Sequence, residues 1–144
     1  RPYLARRRIR FYLNSGMKEL GLPLRFYWAT QSTPGCIVFE FFDNPDCGDC
    51  TTCSCMWLGS PGDVVGDHFH DEQAIGRIRL SHWNSGLETR IAVIRHETGH
   101  ALGLGHTDEP GHLMYYKVHG VTNFSSFEAG VLMDLVQEQS LSSW

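Results

Sequence analysis

The sequence has no apolar run approaching the roughly 20 residues that would span a bilayer, so a membrane-spanning helix is not expected. It also has no excess of positive charge. The formal net charge is −4, which argues against a general nucleic-acid binder, because proteins of that class are usually basic. No signal peptide is visible, but the chain begins at Arg1, so this absence carries no weight. Internal repeats and interdomain linkers are missing too, which favours one domain over the 144 residues.

Acidic residues outnumber basic ones, yet four arginines crowd together near the start of the chain. The cluster comprises Arg6, Arg7, Arg8 and Arg10. We interpret these residues as the solvent-facing side of a first helix, and a basic recognition arm is the alternative.

Cysteine is scarce outside one short segment. Cys36 stands alone, and the other four cysteines lie in the run CGDCTTCSC: Cys47, Cys50, Cys53 and Cys55. This spacing favours disulfides, with a structural zinc site or an iron–sulfur site as alternatives. If the cysteines pair, their odd number leaves one thiol over.

Amphipathic periodicity predicts a first helix over residues 5–20. Within it, Ile9, Leu13, Met17 and Leu20 recur at spacings of three and four residues, which places them on one helical face. This face is therefore expected to lie against the core.

Two capping boxes predict the starts of two later helices. Ser85 with Glu88 is expected to open a long helix, and Ser125 with Glu128 is expected to open the last one. In each box the serine and the glutamate satisfy backbone N–H groups that a helix start leaves without partners.

Between the first helix and the helix expected at Ser85, runs of aromatic and β-branched residues predict four strands. They cover residues 24–30, 36–42, 56–62 and 75–81, and the polar segment 62–72 is expected to be a loop. Some of the strands are expected to differ in direction, because parallel pairing needs crossover connections. The order of helix, strands, helix, irregular segment and helix predicts an α+β domain.

The segment HETGHALGLGH, residues 96–106, concentrates three histidines and one glutamate. His96 and His100 are four residues apart, so a helix places both imidazoles on one face, about 6 Å apart along its axis. On a continued helix His106 would point away from them, about 9 Å further along. The chain must therefore turn before His106, and Gly103 is where a turn costs least.

Three neutral imidazoles can bind a zinc ion and leave one coordination position open for water, as in catalytic zinc sites. Zinc lowers the pKa of that water from 15.7 to roughly 7. Glu97, one residue after His96, could accept the proton as the water attacks a carbonyl and pass it to the leaving amine. The simpler interpretation, ordinary histidines on an amphipathic helix, leaves the extended five-position pattern unexplained. The pattern therefore predicts metal-assisted amide hydrolysis.

The stretch HETGHALGLGHTDEPGHLMY resembles the metzincin clan of zinc endopeptidases and, within it, the catalytic domains of matrixins. It covers about 20 of the 144 residues and is very specific. Elsewhere the resemblance rests on the order of the helices and strands and on a few short similar segments. The fold it implies is zincin-like: a twisted mixed, mostly parallel sheet with two long helices and a small lower subdomain that holds a C-terminal helix.

The resemblance implies a role for each residue of the motif. His96, His100 and His106 would bind one catalytic zinc ion, and Glu97 would be the general base. Met114 would form the hydrophobic floor beneath the metal, in a tight Met-turn.

The resemblance also implies substrate contacts. MWLGSPG is similar to the edge strand of the family, which would place Leu58 and Gly59 beside an extended peptide by β-addition. The segment after the Met-turn, with Tyr115 and Tyr116, would line the pocket for the side chain that follows the scissile bond. Matrixins usually have proline where Tyr116 stands. A tyrosine there resembles astacins and serralysins, in which it approaches the zinc, so Tyr116 is either a pocket wall or a transition-state contact.

A second ion is a further expectation from the resemblance. GDHFHDE is similar to a shortened piece of the family's structural metal region, so Asp63, His68 and His70 could hold a structural Zn²⁺ or Ca²⁺. The usual signatures of that region are not intact here, and a solvated polar loop is the alternative.

The leading functional hypothesis is a zinc-dependent endopeptidase acting on extended peptides or proteins. It would be a monomer with a single catalytic domain over residues 1–144, its upper part ending near residue 103 and its lower part beginning near 104. A metal-holding but inactive binding module and a zinc hydrolase of a small non-protein amide are the alternatives. Family and cysteine density favour a secreted protein, against an intracellular chain whose cysteine cluster holds zinc.

Overall fold

A computed structural model describes residues 2–28, 36–42, 62–65, 74–81, 86–117 and 120–142 of the chain. These ranges contain three helices: α1 (Pro2–Glu19), α2 (Leu87–Ala101) and α3 (Ser126–Ser142). They also contain three strands: β1 (Cys36–Phe42), β2 (Gly62–Val65) and β3 (Ala74–Ser81). None of the described helices is long and apolar enough to cross a membrane.

The three strands form a small sheet with β3 in the middle. β1 pairs with β3 in parallel, and β2 pairs with the other edge of β3 in antiparallel direction. Ile78 of β3 is fully buried beneath α1 and α2. The sheet therefore packs against α1 and α2 where these two helices contact each other.

The predicted α+β fold class, with a mostly parallel sheet and two long helices, was wrong for the described chain. Its three helices have 18, 15 and 17 residues, whereas its strands have only 7, 4 and 8. The described residues are thus predominantly helical, and one of the two strand pairings is antiparallel. Within the described residues each helix buries an apolar stripe in the core clusters, whereas the paired strands are short.

One predicted strand is irregular where the structure describes it. Residues 24–28 lie beside α1 without strand pairing. Asn14 replaces the missing strand: its side-chain oxygen accepts the N–H of Phe26 at 2.7 Å, and its amide donates to the Phe26 carbonyl at 2.9 Å. In contrast, the start of the predicted loop 62–72 forms β2, because its backbone finds a partner in β3.

Two apolar clusters hold the helices together, and α1 contributes to both with the face that its periodicity predicted. The first cluster contains Ile9, Leu13, Ile78, Ile94 and Ala101. The second contains Met17, Ala92, Leu102, Leu113, Met114, Phe124 and Leu132. The second cluster joins all three helices to the segment between α2 and α3, so that segment is anchored to the core.

The predicted capping box at the start of α2 was wrong. The helix begins at Leu87, with Gly86 at the N-cap and no side-chain hydrogen bond to the cap. Ser85 itself lies outside the described residues.

The predicted capping box at the start of α3 is confirmed. The hydroxyl oxygen of Ser125 accepts the N–H of Glu128 at 3.2 Å, and the Glu128 carboxylate accepts the N–H of Ser125 at 2.9 Å. The two residues therefore satisfy each other's backbone donors.

Candidate metal centre

Three imidazoles meet at the C-terminal end of α2 and the turn that follows it. The Nε2 atom of His106 lies 3.2 Å from Nε2 of His96 and 3.0 Å from Nε2 of His100. One nitrogen from each of the three rings lies within 4.8 Å of the other two. Within the described part of the chain, no second cluster of this kind was found.

Backbone carbonyls orient the two imidazoles carried by α2. Nδ1 of His96 lies 2.8 Å from the carbonyl oxygen of Leu113, and Nδ1 of His100 lies 2.8 Å from that of Leu104. A carbonyl only accepts hydrogen bonds, so each Nδ1 carries the proton. The lone pair of each neutral ring is therefore on Nε2, which faces the other rings.

The arrangement of these nitrogen atoms fits a metal ion. An N–H on His106 could donate to one of the facing Nε2 lone pairs, which would leave the other without a donor at about 3 Å. Two imidazole nitrogens bound to one tetrahedral zinc ion, each at about 2.0–2.1 Å, lie roughly 3.3 Å apart. The 3.0 and 3.2 Å separations are close to that value, and the third lies within 4.8 Å, so the three rings could converge on one zinc ion.

Burial keeps two of the three imidazoles, those of His96 and His106, in the neutral form that binds metals. It lowers the pKa of His96 to about 4, an effect that the nearby His100 and His106 rings increase and the hydrogen bond to Leu113 opposes. Burial, and then His100, also lower the pKa of His106. Near neutral pH both rings are therefore available as ligands, without first losing a proton.

A glycine turn ends α2 and redirects the chain, as the spacing predicted. Gly103 has φ of +113°, the N–H of Gly103 donates to the His100 carbonyl at 2.9 Å, and that of Leu104 donates to the Gly99 carbonyl at 2.9 Å. These two bonds form a Schellman motif. The motif also places the Leu104 carbonyl where His100 can donate to it.

The segment after the turn folds back on itself and so positions His106. The N–H of Thr107 donates to the carbonyl of Met114 at 3.0 Å, and Thr107 forms an isolated parallel bridge with Tyr115. His106 precedes the first of these contacts by one residue. Its place beside the α2 histidines therefore depends on the backbone around Met114.

Met114 packs directly beneath the helical segment that carries two of the histidines. Its side chain is buried. A Cβ atom on Gly99 would lie 2.8 Å from the Met114 sulfur and 3.0 Å from the ring of Phe124. The glycine between Glu97 and His100 in the motif is thus a consequence of packing, because a larger residue would separate α2 from Met114.

A buried carboxylate holds the turn that contains Met114. Both oxygens of Glu128 accept hydrogen bonds from this turn, Oε1 from the N–H of Leu113 and Oε2 from that of Met114, each at 2.8 Å. His112 adds a further tie, with Nδ1 2.7 Å from the hydroxyl oxygen of Ser125. The capping box of α3 therefore also fixes the Met114 turn, a role that sequence reasoning missed although the box itself was visible.

Comparison with known proteins adds an independent observation. A family model described as Matrixin matches residues 22–129. The chain belongs to the matrixin family. No match was found among the curated proteins or among the solved structures. Membership supports a zinc metallopeptidase function in general terms, with peptides as the class of substrate and zinc as the metal.

In this matrixin Glu97 lies on the helix that carries His96 and His100, and its side chain is buried. One residue after His96 corresponds to about 100° around the helix axis. The Glu97 carboxylate therefore leaves the helix beside the two imidazoles and not on the same face as them.

The two tyrosines after the Met114 turn contact each other and differ in exposure. The ring centres of Tyr115 and Tyr116 are 4.7 Å apart, and Tyr116 is 53% exposed. A hydrogen bond with Tyr116, followed by burial, raises the pKa of Tyr115. The Tyr115 phenol therefore remains protonated near neutral pH. Lys117 lies over the ring of Tyr116 at 5.3 Å.

A buried cation fixes α2 from the side of α1, and sequence reasoning missed it. Arg95 donates from Nε to the Tyr12 carbonyl at 3.1 Å, from Nη1 to the Thr122 carbonyl at 2.7 Å and from Nη2 to the Ser15 hydroxyl at 3.3 Å. Burial lowers the pKa of Arg95, and Glu19 partly offsets that shift. A charged residue immediately before His96, at a helical position that packs inward, was the signal available in the sequence.

The remaining predicted site residues lie wholly or partly outside the described residues. This applies to Leu58, Gly59, His68, His70, Cys47, Cys50, Cys53 and Cys55, and to strand residues 56–61. Asp63 is described only as backbone of β2 and Cys36 only as the first residue of β1. The edge-strand contacts, the second ion and the pairing of cysteines therefore stay predictions.

Proposed function

We propose that this matrixin is a zinc-dependent endopeptidase that hydrolyses internal peptide bonds with Glu97 as general base. The observation that carries the proposal is the convergence of three Nε2 atoms, two of them with their lone pairs fixed by backbone carbonyls. Such oriented lone pairs are what a zinc ion requires of imidazole ligands.

Each residue of the centre has one role in the proposed reaction. His96, His100 and His106 would hold the zinc ion, and Met114 would support them from below. When bound there, zinc would supply Lewis acidity toward the scissile carbonyl and the attacking water. Glu97 accepts the proton of the attacking water and delivers it to the leaving amine. Burial of this carboxylate strengthens its electrostatic interactions, because the local dielectric is low.

The substrate contacts and the setting of the enzyme are parts of the same proposal. Tyr115 and Tyr116 follow the Met114 turn and are proposed as walls of the pocket for the residue after the scissile bond. A single catalytic domain over residues 1–144, a monomeric state and an extracellular location are proposed with them, since matrixins are generally extracellular.

Cleavage of a broad quenched-peptide library tests this function, together with metal analysis of the same samples. The native chain is compared with Glu97→Gln, which preserves side-chain shape, and with Glu109→Gln, a control at a carboxylate that is 76% exposed. We expect internal cleavage by the native chain and the control. Glu97→Gln should keep zinc and lose activity by a factor of about 10²–10⁴, the usual contribution of a general base.

Three other results would contradict the proposal, each in a different way. Zinc binding without cleavage by any sample would indicate a binding module. Hydrolysis of small amides without cleavage of peptides would indicate a zinc hydrolase of small non-protein amides. Unchanged activity in Glu97→Gln would remove Glu97 from the mechanism.

A further inference from the structure

Charge is distributed unevenly along the chain. Seven of its twelve basic residues, but only one of its sixteen acidic residues, lie within the first 39 positions. The remaining residues carry the excess of acid that makes the whole chain negative. Such asymmetry produces a local positive potential that the net charge of −4 conceals.

The positive charge is concentrated on the exposed side of α1. Arg6, Arg7, Arg8 and Arg10 are all exposed, and the helix has no acidic residue before Glu19. At about 100° per residue, the four arginines cover roughly 200° of the helix circumference, leaving the Ile9 side to the core. In the part of the chain that the structure describes, no carboxylate pairs with any of the four.

Exposed aromatic rings lie among and beside these arginines. Phe11 is 67% exposed and sits, by helical angle, between Arg7 and Arg8. Tyr27 is 79% exposed, and Trp28 places its ring 5.9 Å from the Arg6 guanidinium.

Trp28 and the backbone of residues 24–28 are fixed in place before any partner binds. The indole N–H of Trp28 donates to the Arg6 carbonyl at 3.0 Å, so the residue 24–28 segment is tied to the basic turn of α1. Two hydrogen bonds between Asn14 and the Phe26 backbone attach the same segment to a later turn of α1. The Trp28 ring therefore loses little freedom on binding.

We propose that this arginine–aromatic face, formed by Arg6, Arg7, Arg8, Arg10, Phe11, Tyr27 and Trp28, docks reversibly on an anionic lipid surface. Guanidinium groups bind phosphate and carboxylate oxygens of lipid headgroups in a bidentate manner. Phe11 decides between a membrane and a soluble polyanion. Its ring has no polar atom, so a polyanion would leave it in water, whereas the interfacial region of a bilayer takes up an apolar ring flanked by cations.

Sedimentation with lipid vesicles tests the proposal on the full chain and does not depend on peptidase activity. The native chain is mixed with vesicles of phosphatidylcholine alone and with vesicles containing about 30% phosphatidylserine, an anionic surface. Arg7→Gln combined with Arg8→Gln removes two charges from the face. Lys18→Gln combined with Lys117→Gln makes the same change in net charge elsewhere, and Lys18 lies about 15 Å along α1 from Arg8.

We expect the native chain to sediment with the anionic vesicles and not with the neutral ones. Removal of both arginine charges should weaken binding about 25-fold, at roughly five-fold for each charge, whereas the lysine control should change it less than about three-fold. Phe11→Ser should weaken binding about ten-fold, because the ring no longer leaves water. All variants alter exposed side chains, so their helical circular dichroism and zinc content should match those of the native chain.

Three outcomes would overturn the proposal. One is no sedimentation with anionic vesicles at low salt. Another is an equal loss in the arginine and lysine pairs, which would indicate a response to net charge alone. The third is full binding by Phe11→Ser together with tighter binding to heparin than to vesicles, which would identify the partner as a soluble polyanion.

Discussion

The centre draws its histidines from two regions that are built differently. Two of them stand on α2, four residues apart, and each donates from Nδ1 to a backbone carbonyl. The third, His106, stands after a glycine turn, and among the described residues no hydrogen bond to its Nδ1 was found. The helical pair is positioned by local geometry, whereas His106 is positioned by contacts made elsewhere in the chain.

Because of this difference, the contacts that stabilise the fold are partly distinct from the contacts that set metal affinity. Arg95 attaches α2 to α1 and to Thr122, behind the histidines. Glu128 holds the backbone of Leu113 and Met114, and Met114 in turn positions the segment next to His106. Changes behind α2 should therefore affect folding first, and changes around the Met114 turn should also affect the metal.

Metal removal should produce the largest effect. If zinc binds only the folded state, zinc at about 1,000 times its dissociation constant adds roughly 4 kcal/mol to the free energy of unfolding, so chelation should lower the melting temperature. His106→Ala should abolish most of this increment while leaving the metal-free stability close to native, because His106 belongs to neither apolar cluster of the core. Calorimetry with and without chelator measures both quantities, and an unchanged zinc increment in His106→Ala would show that the helical pair is sufficient.

Arg95→Met should lower the free energy of unfolding by about 2–4 kcal/mol, because two partly buried carbonyls lose a charged donor. Zinc affinity of the folded fraction should stay within about three-fold of native, since helical spacing alone places His96 and His100. Urea denaturation and zinc competition test the two statements.

Arg90→Met is the matched control for Arg95, because Arg90 lies on the same helix. Among the described residues its Nε atom is buried without a hydrogen-bond partner. Its loss should cost less than about 1 kcal/mol. A loss of zinc affinity in Arg95→Met that Arg90→Met does not share would contradict the separation of the two regions.

Glu128→Gln should affect both stability and metal affinity. A neutral amide has one acceptor oxygen for backbone donors that now bind two carboxylate oxygens, so the free energy of unfolding should fall by about 2 kcal/mol. Zinc affinity should fall about 10–100-fold, as for other outer contacts of metal sites.

Glu109→Gln is the control for this charge change, because Glu109 is largely exposed near the same turn. It should leave both quantities close to native values. If Glu128→Gln binds zinc as the native chain does, the Met114 turn does not depend on the carboxylate for its position.

Gly103→Ala should have the smallest effect, a loss of about 1–2 kcal/mol. A Cβ there would meet only Leu135, at an ordinary 3.4 Å, so the cost comes from the φ of +113°. Gly105→Ala is the control, because a Cβ at that position meets nothing within 4 Å. Equal stability of the two variants would indicate that the turn tolerates a side chain.

Sequence reasoning succeeded where interactions are local and failed where they are distant. The buried face of α1 and the capping box of α3 were predicted correctly, because both depend on residues three or four apart. Residues 24–28 of the predicted strand 24–30 are not a strand, because Asn14, on a different element, satisfies the backbone of Phe26. β2 was missed because its pairing with β3 does not appear in its own composition.

The sequence by itself determined the helical pair, the turn at Gly103 and the identity of the three imidazoles, since helical geometry and the backbone freedom of glycine act over a few residues. Only the tertiary structure decided how His106 returns to that pair. Its position requires Glu128 to reach the Met114 turn from α3, 14 residues along the chain. A contact of this kind depends on how α2 and α3 pack together, and short-range spacing does not encode that packing.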